Sequence, residues 1–255
     1  MLFRKLKIGK SLYVVSIAFT LFALISFIDK KESAKRVKNI IVKIDDKYDN
    51  YFVEESEVIK LLTDSYQDFL LNKHLEDVSL KQLEKRVLAH KFIQDADVYK
   101  DHKGNIIVNI IQRQPIARIV SMDRPHFYID RDGKAFPTSG KFTARVVLID
   151  GDLTDEFKKD SFFVSPKGKQ YLDFIKSING EEFWRAQVAQ VSINKYGEIA
   201  MYPQVGNHTI HIGTAENYSQ KLRSLKLFYK KVLPQKGWNK YKKISTKFNN
   251  QIICE

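Results

Sequence analysis

Phe92-Ile93-Gln94-Asp95-Ala96-Asp97-Val98-Tyr99-Lys100, then Asp101-His102-Lys103-Gly104, then Asn105-Ile106-Ile107-Val108-Asn109-Ile110-Ile111-Gln112, is the stretch on which the reading of this chain turns. Two strand-forming runs, 95–100 and 105–112, flank a turn-forming tetrad that ends in glycine. Side chains alternate between faces along a strand, so Ile106, Val108 and Ile110 point one way and Ile107, Asn109 and Ile111 the other; the first set is assigned to the core. Upstream, Asn39-Ile40-Ile41-Val42-Lys43-Ile44 is a further strand rich in β-branched residues. Between lie two helical patterns. Residues 54–64 carry Val58, Ile59, Leu61 and Leu62 behind an acidic first turn, which suits the positive end of a helix dipole. Ser79 and Gln82 form a capping-box pattern ahead of Leu80, Leu83, Val87 and Leu88. The order β-α-α-β-β in so short a unit predicts a three-stranded sheet with both helices on one face, because neither layer buries its apolar side alone.

From Gln114 onward the pattern changes to short strands at 116–121, 127–130, 134–136 and 144–149, separated by turn residues. A helix is predicted over 165–178, then a strand meander at 188–194, 199–202 and 208–212, with Tyr196-Gly197 and Gly206-Asn207 at the turns. A long helix over 215–233 follows, with Tyr218, Leu222, Leu225, Tyr229 and Val232 on one stripe and Lys221, Lys230 and Lys231 off it. Pro234 and Gly237 end it. Residues 243–248 and 251–254 flank Asn249-Asn250, a short-turn signal that predicts a terminal hairpin. The fold class is therefore α+β, with a mostly antiparallel second domain.

Ahead of both domains, Ser11 to Ile28 is a run of uncharged, largely apolar residues that as a helix would extend about 27 Å, enough to cross a hydrocarbon core. The alternative is a cleaved secretory signal, since Arg4, Lys5, Lys7 and Lys10 make a suitable leader. Ile25-Ser26-Phe27-Ile28 offers no small-residue cleavage site, which favours an uncleaved anchor. The charge count leaves orientation open, because Lys30, Lys31, Lys35, Arg36 and Lys38 follow the span as closely as the leader precedes it. In all, 43 Lys+Arg against 30 Asp+Glu give +13, a balance that draws a protein toward nucleic acid, anionic lipid or acidic polymers. The lysines are scattered, with no basic helix or aromatic RNA-binding motif, which demotes nucleic acid. A lone cysteine, Cys254, leaves stability to packing.

This succession resembles the FtsQ/DivIB family of bacterial cell-division proteins: a leader (1–10), one span (11–28), a tether (29–37), a β-α-α-β-β POTRA domain (38–113) and an FtsQ-type β domain (114–255) with a long helix and a terminal strand hairpin. The motifs that carry the resemblance are Phe92-Ile93-Gln94-Asp95-Ala96-Asp97-Val98 at the second POTRA strand and Gln112-Arg113-Gln114-Pro115-Ile116-Ala117 after the third. In the latter, Gln replaces the family's acid, a departure associated with Bacteroidetes-like members. Tyr128-Ile129-Asp130-Arg131-Asp132-Gly133, Val147-Leu148-Ile149-Asp150-Gly151 and His211-Ile212-Gly213 are similar to family elements in the same order. Lys247-Phe248-Asn249-Asn250 stands in for "Arg-Tyr-Asp-x". The resemblance implies a scaffold without catalytic activity, anchored in the inner membrane with its N-terminus cytoplasmic and its body in the periplasm, concentrated at the septum. Its implied partners are FtsB- and FtsL-like proteins, and its implied role is to help control septal wall synthesis. It places partner binding on Thr246, Lys247, Phe248, Asn249, Asn250, Gln251, Ile252 and Ile253, and a second docking surface on Asp95, Asp97, Tyr99 and Lys100.

The residues themselves offer little chemistry. His74, His90, His102 and His126 have no partner at ligand spacing, and His208 and His211, three apart on a strand, leave opposite faces and cannot share a metal. Asp130-x-Asp132-Gly133 has the opening of a calcium loop without its later ligands, and reads as a hairpin turn. No nucleophile elbow, P-loop or zinc-protease signature occurs, so neither a cofactor nor a small-molecule substrate is expected. The proposed mechanism is strand addition: an open sheet edge accepts an extended partner segment through backbone hydrogen bonds. Two other classes compete. A POTRA-bearing assembly or translocation factor should carry several POTRA repeats and a β-barrel, and an anchored wall hydrolase needs a pair of carboxylates that no motif singles out.

Overall fold

The computed structural model describes residues 13, 15–23, 35–45, 50–63, 70–121, 123–159, 161–248 and 251–255. Of the predicted span, Tyr13 and residues 15–23 are helical; the rest of it, the leader and most of the tether lie outside the described residues. Among the described residues no helix is long and apolar enough to cross a membrane. The chain divides into two compact units, one of residues 1–45 and 53–112 and one of residues 46–52 and 113–255.

The first unit runs β1 (Ile40–Asp45), α1 (Glu55–Thr63), a 3₁₀ turn (Leu75–Asp77), α2 (Leu80–Leu88), β2 (Ile93–Lys100) and β3 (Ile106–Gln112). Its sheet has the order β1-β3-β2. β3, the most continuously apolar of the three, takes the centre, parallel to β1 and antiparallel to β2. A parallel pair needs a long crossover, and α1 and α2 supply it. Ile106, Val108 and Ile110 are buried, together with Val58 and Leu62 of α1 and Leu83 and Val87 of α2, while Ile111 on the other face is exposed. This is the predicted one-sided β-α-α-β-β layer. The predicted capping box is not made: Ser79 sits at the N-cap without a side-chain bond. Its backbone carbonyl instead accepts from the Gln82 and Leu83 amides, so the first turn is closed by main chain.

In the second unit come β4 (Pro115–Ile119), β5 (Phe127–Asp130), β6 (Ala135–Pro137), β7 (Val147–Asp150), a 3₁₀ segment (Asp152–Lys158), α3 (Pro166–Gly180), α4 (Glu182–Gln187), β8 (Val188–Ile193), β9 (Ile199–Pro203), β10 (Thr209–Gly213), α5 (Tyr218–Lys231), α6 (Leu233–Lys236), β11 (Lys243–Ser245) and β12 (Ile253–Cys254). All the strands join one sheet in the order β12-β11-β10-β9-β8-β7-β4-β5-β6. Antiparallel neighbours predominate, but β4 with β7, β7 with β8 and β10 with β11 are parallel. Each parallel step spans a long connection, through the β5–β6 hairpin, through α3 and α4, and through α5 and α6.

The helices bury their apolar stripes on the sheet. Tyr171, Phe174, Ile175 and Ile178 of α3 and Leu222, Leu225, Phe228 and Tyr229 of α5 meet Ile149, Val191, Ile193, Met201, Ile210, Ile212 and Ile244 in one core. The Ser165 hydroxyl caps α3 by accepting from the Gly168 amide at 3.0 Å, with Pro166 pre-set for the first turn. The predicted 215–233 helix is split: α5 ends at Lys231 and Pro234 lies in the first turn of the short α6. Asp130, the first residue of the calcium-like pattern, is buried and fully engaged. Its carboxylate accepts from the Asp132 and Lys134 amides and from Arg113 Nη1 at 2.8 Å, so it closes a hairpin turn.

Candidate functional site: an open sheet edge at the C-terminus

The residues that could do work lie where the large sheet stops. β11 is paired on both flanks, with β10 and with β12, whereas β12 has a neighbour on one side only. The Glu255 amide donates to the Lys243 carbonyl at 2.9 Å, and the Lys243 amide returns a bond to the Glu255 carbonyl at 3.1 Å. Inward-facing residues alternate along an antiparallel strand, so in register Ile253 also faces Ser245, and the N–H and C=O of Cys254 point away from the sheet. Those outward groups form the open edge.

Beside that edge the uncovered face of the sheet is hollowed. The register aligns Ser192, Ala200, His211, Ser245 and Ile253 across five successive strands. The small side chains of Ser192, Ala200 and Ser245, on either side of His211, leave an open groove of ≈ 350 Å³, walled by Glu198, Lys243, Lys247, Phe248 and Glu255. Phe248 is 56% and Ile253 39% exposed, apolar area beside unpaired backbone. The charges at the rim are paired: Lys247 Nζ bonds Glu198 Oε1 and Lys243 Nζ lies 3.4 Å from Glu255 Oε2. The Lys247 hydrogen bond and charge hold the Glu198 carboxyl below its usual pKa. Burial pushes the His211 imidazole below its ordinary value and Lys243 adds to this, while Glu198 and Glu255 pull the other way. His208, on the opposite face, is a core residue whose Nε2 meets the Tyr229 hydroxyl at 2.5 Å.

The predicted partner segment is therefore divided among several environments. The Thr246 amide donates to the His211 carbonyl at 2.8 Å, and the chain leaves the sheet there, so β11 is shorter than the predicted 243–248 strand. Lys247 and Phe248 line the groove, Asn249 and Asn250 lie outside the described residues, and Gln251 and Ile252 precede β12. Ile253 is the member of the segment that belongs to the edge strand. Sequence reasoning passed over His211, Ser245 and Cys254 as parts of this site. Only the strand register brings them together, and short polar residues on a strand carry no signal of their own.

The second predicted surface lies on β2, an edge strand of the small sheet. Asp95, Asp97 and Tyr99 are exposed while Ala96 and Val98 face the core. Lys100 is already engaged, its Nζ bonding the Leu75 carbonyl at 3.1 Å. Among the described residues no group of three His, Cys, Asp or Glu side chains could hold a metal ion.

A family model described as FtsQ/DivIB, C-terminal related, matches residues 114–255, the whole of the nine-stranded sheet and its helices. The chain belongs to the FtsQ/DivIB family. A POTRA-like domain model matches residues 35–111 of this FtsQ/DivIB chain. The cell division protein FtsQ of Salinibacter ruber (strain DSM 13855 / M31) is 24% identical to it over 182 residues, which cover 66% of this chain and 66% of the relative. The FtsQ/DivIB match thus extends over the strands that make the groove and the open edge.

Proposed function

We propose that this protein is a non-enzymatic scaffold of the bacterial division machinery, held in the inner membrane by residues 11–28 with its body in the periplasm. There it recruits FtsB- and FtsL-type partners at the septum by β-strand addition and so helps to control septal wall synthesis. The observation that carries this reading is the open flank of β12, whose outward Cys254 N–H and C=O lie beside exposed Phe248 and Ile253. An incoming strand would gain backbone bonds from β12 and an apolar contact from those two side chains, with the groove of small residues admitting its own side chains. Family membership supports the division role. Anchoring partner and scaffold in one membrane raises effective concentration, so modest intrinsic affinity suffices. The β2 edge, with Asp95, Asp97 and Tyr99, is a second docking surface in this scheme.

Co-purification of FtsB- and FtsL-type partners with the full chain tests the reading. Cys254→Pro removes an outward N–H and leaves the β11–β12 bonds in place, since proline is tolerated on a strand whose amide faces solvent. Phe248→Glu puts a charge where apolar contact is needed. Both should retain the wild-type unfolding midpoint and lose partner binding by about ten-fold or more. Folded variants that bind as well as the wild type would remove the C-terminal edge from the mechanism.

A further inference from the structure

The first unit carries a basic concavity that the division-partner reading does not use. Lys35, Arg36, Lys38 and Asn39, just before β1, and His102, Lys103 and Asn105, at the tip of the β2–β3 hairpin, line an open hollow of ≈ 420 Å³. Four of these residues are cationic and none is acidic. The nearest carboxylate along the chain, Asp101, is turned into the hairpin: it accepts from the Lys103 and Asn105 amides and from Asn105 Nδ2 at 2.7 Å. The two basic segments are locked together at the backbone. The Lys38 amide donates to the Gly104 carbonyl at 2.9 Å, and Gly104 has φ +94° with no room for a Cβ, which would stand 2.9 Å from the Arg36 carbonyl oxygen. Arg36 is further fixed by Nη1 bonding the Asn72 carbonyl at 2.8 Å. A turn built this way gathers like charges that would otherwise repel, an arrangement that is stabilised when an anion enters.

We infer that this hollow binds the phosphate-bearing headgroup of an anionic phospholipid in the leaflet beneath the body. The inference rests on the reading of residues 11–28 as a membrane anchor. Only residues 29–34 separate that segment from Lys35, a length that reaches at most about 25 Å. The tether thereby keeps the hollow close enough to the bilayer to approach within about a Debye length, roughly 8–10 Å, where basic residues gather anionic lipid. The charge pattern that leaves orientation undecided gains a use: Lys35, Arg36 and Lys38, which follow the span, are a lipid contact.

The test is amine footprinting of the full chain reconstituted in nanodiscs of phosphatidylcholine, with and without phosphatidylglycerol. Lys35, Lys38 and Lys103 should acylate about five-fold more slowly in the anionic discs, while Lys60 and Lys81 react equally in both. Lys38→Glu with Lys103→Glu should abolish the difference, and Gly104→Ala, which displaces the hairpin tip, should diminish it. Equal reactivity in both discs, with the chain embedded, would overturn the lipid site and leave the anchor standing. Failure to embed in either disc would overturn the anchor and the inference together. Equivalent protection by inorganic phosphate in neutral discs would assign the hollow to a free anion and overturn the lipid claim.

Discussion

At the scale of single residues, His208 shows how a polar group is made to serve the core. Its ring is 2% exposed, shares a hydrogen bond with Tyr229, and lies edge-on to that aromatic ring. Burial lowers the imidazole pKa below 6.5, only partly offset by the Trp238 backbone, and the same burial raises the Tyr229 hydroxyl far above its usual range. The unfolded chain therefore takes up a proton first as the pH falls. Stability is lost from about pH 6.5 down to the folded pKa and levels off below it. His211 adds to this in the same direction. His208→Gln, which keeps a hydrogen-bonding group and cannot titrate, should reduce the fall of the unfolding midpoint as the pH drops below about 6.5, and a second His211→Gln should reduce it further. A double variant with the wild-type slope would show that neither ring is the titrating group. The sequence marked these histidines as unable to share a metal because they leave opposite faces of a strand, and the two burials agree with that. It did not show that one is core, because the partner Tyr229 lies far along the chain on α5.

Secondary elements divide into those whose reasons are local and those whose reasons are not. The β2–β3 turn, the burial alternation of β3 and the α5 stripe were all legible, because each follows from residues within a few positions, whereas Ser165, read as the first residue of a helix, proves to be its cap. The parallel pairings of β4 with β7, β7 with β8 and β10 with β11 were not, since nothing in a strand's own sequence names a neighbour that a long connection brings beside it. The split of α5 from α6 was half legible: Pro234 was recognised as a stop, yet it serves as the start of another short turn. Gly151, between β7 and the 3₁₀ segment, is a place where a local requirement and a long-range one coincide. It has φ +102°, and a Cβ there would collide with the Ile193 carbonyl. Gly151→Ala should destabilise the second unit by about 2 kcal/mol or more, read as a lower midpoint in chemical denaturation. A neutral substitution would mean that the β7–β8 contact is looser than described.

On the scale of the whole molecule, the chain carries two sheets, with β12 outermost in the larger and β2 outermost in the smaller. The family pattern identified the C-terminal segment as the place to look, but the sheet assigns its described residues different tasks: Thr246 is tied to β10, Lys247 and Phe248 wall a groove, and β12 presents open backbone. Which strand lies outermost depends on all the pairings together. The most direct measurement is amide hydrogen exchange of the full-length protein with and without FtsB- and FtsL-type partners. Strand addition predicts that the Cys254 amide, exposed on the free edge, becomes strongly protected in the complex, with smaller changes in the core strands β8 and β9. Protection confined to other surfaces, with Cys254 exchanging as fast in the complex as in the free protein, would contradict the account.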